Sequence, residues 1–208
     1  MSKSPKSRSP HPTGPSRRSL IGGLVGLVLV AVLALLPRLG VFGSGPQLGG
    51  AFTLTDHHGK TVTQKSYADK LRVMFFGYTY CPDICPGDLA TLGQAYDLLA
   101  PEEQAQVALL FVSVDPDRDT PSVLASYVAA FSPAITGLVG TPEQLEKIKK
   151  AFNVIARKSD PNNPDSTIDH SALFYLCDRD GNVVRVLPHG ASAAVLVEAV
   201  RAQLTATP

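Results

Sequence analysis

No aspartate or glutamate occurs in the first 50 residues, which carry six basic side chains: Lys3, Lys6, Arg8, Arg17, Arg18 and Arg38. The remaining residues lack any basic excess. They hold 13 Lys and Arg against all 18 Asp and Glu, a net charge near −5. This absence of a basic face excludes nucleic acid as the expected partner of that part of the chain. The formal total of +1 hides the split. Cysteine is scarce as well, with three in 208 residues. Yet two of them stand four positions apart in GYTYCPDICPGDL (77–89), each followed at once by proline. No internal repeat is evident, and the length suggests one domain plus extras.

Charge is also missing from Leu20 to Leu36, LIGGLVGLVLVAVLALL, a run of 17 residues. That is the short end for a membrane-spanning helix, and Leu39 to Phe42 extend it beyond Pro37 and Arg38. A transmembrane anchor is therefore expected at 20–42, behind a basic tail at 1–19 that holds Pro5, Pro10, Pro12 and Pro15 and reads as disordered. The positive flank places the N-terminus in the cytoplasm and exports the rest. No convincing Ala-x-Ala follows, although a cleaved signal peptide is the rival reading. Ser16-Arg17-Arg18-Ser19-Leu20-Ile21 reads either as ordinary positive flanking charge or as a twin-arginine export signal. The short tail leaves little room for an organellar presequence, so the expected location is a bacterial inner membrane with the domain facing the periplasm. GSGPQLGG (43–50) has linker composition, which leaves residues 51–208 as the folded domain.

Within that domain, AFTLTD and TVTQ around HHGK read as two short strands. LRVMFFGY (71–78) and VALLFVSV (107–114) are nearly continuous apolar runs, as expected for strands buried on both faces. Leu89, Leu92, Tyr96 and Leu99 recur at helical spacing. Thr120-Pro121 and Thr141-Pro142 are helix starts, a capping threonine followed by proline at the first helical position. Those helices are expected to reach Phe131 and about Phe152. NVIARKS (153–159) reads as a strand. SALFYLCD (171–178) and NVVRVL (182–187) form a hairpin around DRDG, and Ala191 to Leu204 suits a final helix. The expected fold class is α/β, a central mixed sheet flanked by helices. The cysteine loop between the first buried strand and the first helix matches the thioredoxin arrangement, although the cysteine spacing does not.

Three chemistries fit Cys81 and Cys85. A structural disulfide would close a loop of only five residues and remove little unfolded-state entropy. Redox exchangers usually carry Cys-x-x-Cys. Two thiolates are soft ligands suited to Cu(I), Zn or Fe–S, but a metal needs a further ligand. His170, at the entry to a strand, is the candidate, with Asp169 expected to orient its ring. Pro86 in a helical first turn puts Cys85 at or beside the N-cap, where the dipole is expected to lower its thiol pKa.

Four segments in order, Phe76–Pro86 (FGYTYCPDICP), Ser113–Pro121 (SVDPDRDTP), Gly140–Gln144 (GTPEQ) and Asp169-His170-Ser171 before Tyr175-Leu176, resemble the Sco (SenC) family of membrane-anchored copper proteins. The resemblance implies a thioredoxin-like fold on one N-terminal anchor, with a copper ion held by Cys81, Cys85 and His170. It implies as partners the copper-bearing subunit of cytochrome c oxidase and a copper donor protein. The family helps assemble the dinuclear copper site of that subunit by delivering copper, reducing its cysteines, or both. A metallochaperone fits better than an enzyme. A thiol-disulfide oxidoreductase using Cys81 and Cys85 as its redox pair is the alternative, and a peroxide-reducing enzyme a third.

Other features read as structural. Cys177 is expected in the core. His57, His58 and His189 are expected at the surface, and His11 in the tail cannot reach the site. Asp115, Asp117 and Asp119 alternate as in a calcium loop but lack the EF-hand glycine and distal glutamate, so the run reads as a turn plus an acidic rim. Asp83 reads as a loop-stabilising or partner-facing acid, since hard oxygen suits Cu(I) poorly.

Overall fold

The computed structural model describes residues 47–206. Two apolar runs form its centre. All seven residues of β3 (Leu71–Gly77) are buried, and β4 (Val107–Ser113) lies parallel to it with Leu71 opposite Val107 and Gly77 opposite Ser113. A strand covered on both faces has no need to alternate polar and apolar residues, which is why both read as continuous runs. Ahead of them, β1 (Thr53–Asp56) and β2 (Thr61–Thr63) make the expected hairpin.

Between the central strands run α1 (Ile84–Asp97) and the single turn α2 (Pro101–Gln104). After β4 come α3 (Pro121–Ala129), β5 (Ile135–Val139) and α4 (Pro142–Phe152). Thr120 and Thr141 cap α3 and α4 as expected, each side-chain oxygen accepting from a backbone N–H three residues on at 3.3 Å. At Thr141 the cap is reciprocal, because Gln144 Oε1 accepts from Thr141 N at 2.8 Å. The chain then forms β6 (Ala156–Lys158), β7 (Ile168–His170), β8 (Leu173–Cys177), β9 (Val183–Pro188) and α5 (Ala193–Ala206).

Seven strands form one sheet in the order β2-β1-β5-β4-β3-β8-β9. The three central strands are parallel and both flanks antiparallel, so the sheet is mixed. β6 and β7 form a separate antiparallel pair, with Ala156 opposite His170. Leu92 of α1, Leu99 just beyond its end, and Leu196 and Val200 of α5 meet Val73 and Leu109 on one face. On the other, Phe152 of α4 lies 5.4 Å from Phe76 and 5.6 Å from Tyr175 between ring centroids. This is the thioredoxin-like arrangement, a mixed sheet covered on both sides by helices.

Ahead of Ala51, Gly49 bridges Asn182. Among the described residues no helix is long and apolar enough to cross a membrane. The expected anchor at 20–42 and tail at 1–19 lie outside them.

Candidate metal centre

The cysteine loop leaves the end of β3 and enters α1. Asp83 is the N-cap residue but makes no side-chain cap bond, and its side chain is exposed. Cys85 is the second helical residue and Pro86 the third, so the proline occupies the first turn as expected. Cys85 is fully buried at 0% exposure and Cys81 nearly so at 9%. Gly77 makes that burial feasible. A Cβ there would come within 2.6 Å of Cys85 Sγ and 2.9 Å of Phe111 Cε2.

The β3 end of the loop is tied to the segment after β4. Asp119, 1% exposed, accepts from Thr79 Oγ1 at 2.5 Å, Thr79 N at 3.1 Å and Ser113 Oγ at 2.5 Å. Burial still pushes its carboxyl pKa up, against those hydrogen bonds. The SVDPDRDTP run is thus a turn that fastens the cysteine loop, which its carboxylate pattern alone did not disclose.

His170 arrives from β7, on the opposite wall. Its Nε2 lies 3.4 Å from Cys85 Sγ. Its Nδ1 lies 3.3 Å from the Ser171 carbonyl. A carbonyl only accepts, so Nδ1 carries the hydrogen and Nε2 turns a lone pair toward sulfur. Burial lowers the His170 pKa below its ordinary value, which keeps the ring neutral. Tyr78 braces it from the side, ring edge to ring face at 5.7 Å, while Tyr78 Oη accepts from Ile168 N at 3.0 Å. The expected role of Asp169 is not what the structure has. Asp169 is exposed, as alternation along β7 requires, and the Ser171 carbonyl orients the ring instead.

The Cys85 thiol also departs from expectation. Its pKa is raised, chiefly by burial, with Cys81 beside it pushing the same way. Desolvation at a fully buried sulfur outweighs the helix N-terminus. Ligation there must displace a proton, so a metal and a proton compete for Cys85.

Cys81 Sγ, Cys85 Sγ and one His170 nitrogen all lie within 4.8 Å of one another, close enough for one ion to sit between them. Among the described residues no fourth His, Cys, Asp or Glu joins this group. Two sulfurs and one imidazole form a soft, three-donor set. A structural zinc would call for four ligands, whereas Cu(I) suits this set. Copper is the ion the donors fit. A cavity of about 320 Å³ opens on the group, lined by Tyr78, Cys81, Asp83, Ile84, Asp169 and His170 among others.

The remaining candidates stay out of this cluster. His57 Nδ1 accepts from Gly137 N at 2.8 Å, and His189 Nδ1 sits 2.9 Å from Asp88 Oδ2. Cys177 packs in the core of β8, its Sγ 4.0 Å from Met74 Sδ. All three cysteines are free thiols here, so no Cys81–Cys85 disulfide is formed in this state.

The SCO1/SenC family model matches residues 43–205. The chain belongs to the SCO1/SenC family. It is 39% identical over 158 residues to Protein sco1 of Schizosaccharomyces pombe, covering 74% of this chain and 60% of that protein. It is 42% identical over 141 residues to Protein SenC of Rhodobacter capsulatus, covering 68% and 63%. The chain thus spans less than two thirds of either relative. Among solved structures it is similar to copper-bound ScoI of Bradyrhizobium japonicum, with TM-score 0.69 and 37% identity over 75% of this chain and 99% of that one. It is also similar to copper-bound yeast Sco1, with TM-score 0.70 and 33% identity over 78% and 91%. These likenesses cover the domain that holds Cys81, Cys85 and His170, so a SCO1/SenC fold with a copper-type donor set is present in this chain.

Proposed function

We propose that this SCO1/SenC protein is a copper chaperone that binds one copper ion through Cys81, Cys85 and His170 and passes it to the dinuclear copper site of cytochrome c oxidase. The observation that carries the reading is the meeting of two thiols and one neutral imidazole within 4.8 Å at the mouth of an open cavity. A three-coordinate Cu(I) leaves room for an incoming donor, so the ion can move by ligand exchange without being free. The cavity admits such a donor beside Cys81 and His170, while Cys85 lies fully buried behind them. We place the domain, residues 51–208, in the periplasm on an anchor at 20–42, with the N-terminus in the cytoplasm.

The first test loads the reduced full-length protein, purified in detergent, with Cu(I) under anaerobic conditions and dialyses it against a competing chelator. About one copper per chain is expected to survive, and His170→Ala is expected to lose it. Copper retained equally by His170→Ala sinks the three-ligand site. The assembly role has its own test. A strain lacking this protein is expected to show depleted oxidase copper when copper is scarce, and normal content would rule the role out.

The paired free thiols favour one further reading. A reduced Cys81–Cys85 pair can give two electrons and two protons to a disulfide in the acceptor, becoming a disulfide itself. The His170→Ala variant separates the two, since loss of copper with retained disulfide reduction supports the reductase.

A further inference from the structure

Arg118 belongs to no ligand set, yet it touches both halves of the metal centre. Its Nε pairs with Asp115, whose side chain is fully buried, and Arg118 itself is 20% exposed. Its Nη2 donates to the Ser166 carbonyl at 3.1 Å. Its Cζ lies 5.7 Å from the Tyr78 ring centroid and 5.0 Å from that of Tyr80. These contacts join three separate segments: the turn after β4, the cysteine loop, and the connection leading into β7. Beside them Lys158 Nζ donates to Asp117 Oδ2 at 2.9 Å, tying β6 to the same turn.

Two routes lead from Arg118 to His170. One runs through Tyr78, whose ring meets the imidazole edge to face and whose hydroxyl accepts from Ile168 N. The other runs through Ser166, four residues before His170 on the same strand approach. A guanidinium can do both at once, because it donates in its plane while its faces stack on aromatic rings. A lysine ammonium can replace the charge beside Asp115 but neither the fork nor the stacking.

We propose that Arg118 is a positioning residue that holds the His170 imidazole against the cysteine pair, so that two sulfurs and one nitrogen form a single pre-set receptor for copper. This rests on the copper reading above. Without Arg118 the cysteine pair stays in place, but the β7 approach is free to shift, and the nitrogen donor is held less firmly against the two sulfurs.

The test compares wild type, Arg118→Lys, His170→Ala and the double variant, each as the full-length protein. Cu(I) affinity is read by competition with bathocuproine disulfonate. Arg118→Lys is expected to weaken binding about 10- to 100-fold, the range for groups that orient metal ligands. The double variant is expected to bind no more weakly than His170→Ala, since Arg118 acts through that ring. A second readout uses the metal-free protein. Exchange of the Ile168 amide hydrogen is expected to quicken in Arg118→Lys, while Val73 and Leu109 amides in the central sheet keep their rates. A residue that merely stabilised the fold would speed all three. Wild-type affinity in Arg118→Lys, or additive losses in the double variant, overturns the positioning role and leaves the copper reading intact. Failure of wild type to hold copper overturns both. If Arg118→Lys fails to fold, Tyr80→Ala decides. Tyr80 is 59% exposed, and its removal frees one face of the guanidinium. Unchanged Ile168 exchange in that variant overturns the proposal.

Discussion

Burial rather than exposure governs the chemistry of the individual side chains. Cys85 sits at a helix start, a position that ordinarily favours thiolate, yet desolvation raises its pKa. His170 shifts the other way for the same reason, and both shifts favour the neutral forms. Gly77 sets the limit on this packing. Gly77→Ala is expected to force Cys85 Sγ or the Phe111 ring aside, at about 1–3 kcal/mol for an overpacked core. Chemical denaturation would measure the loss, and copper competition is expected to show weaker binding alongside it. Gly77 was legible as part of a motif, but its reason was not, because the sulfur it accommodates is eight residues away.

The helices and strands follow their local signals closely where those signals are complete. Thr141 caps α4 with its partner Gln144, and the left-handed Asn153 ends the helix at φ 53°. Thr141→Ala is expected to cost about 1 kcal/mol, read as a lower denaturation midpoint with an unchanged slope. β3 and β4 were legible because burial on two faces leaves an unbroken apolar run. β5 was not read as a strand, because Gly137 and Thr136 interrupt a segment of only five residues. Gly137 is there for tertiary reasons: a Cβ would come 3.1 Å from Leu124 Cβ, so α3 packs directly on that strand. β7 escaped for a similar reason, since three residues carry too little pattern to announce a pairing with β6.

The whole domain carries a buried thiol that its metal chemistry does not use. Burial pushes Cys177 up to about 12 from the usual 9.0. Its unfolded form ionises near 9, while the folded form keeps its proton to about 12. Through that window the native state holds more protons than the unfolded state, so stability contributed by Cys177 is complete below pH 9 and declines as pH rises. Cys177→Ala is expected to flatten this alkaline decline in metal-free protein. Urea midpoints taken at neutral and strongly alkaline pH would show it, and an equally steep decline in both proteins would refute it.

The cysteine pair, the proline in the first turn of α1, the distant histidine and the two long buried strands β3 and β4 were all available from sequence, because each is a local pattern or a spacing. The ligand types, the α/β class and the family follow from them. Tertiary structure decided what faces what. It put the Ser171 carbonyl, not Asp169, behind the His170 ring, since alternation along β7 sends neighbouring side chains to opposite sides. It made Asp119 the fastening of the cysteine loop across 40 residues of chain. It also brought Arg118 between the two walls of the site, through contacts that no spacing in the sequence encodes.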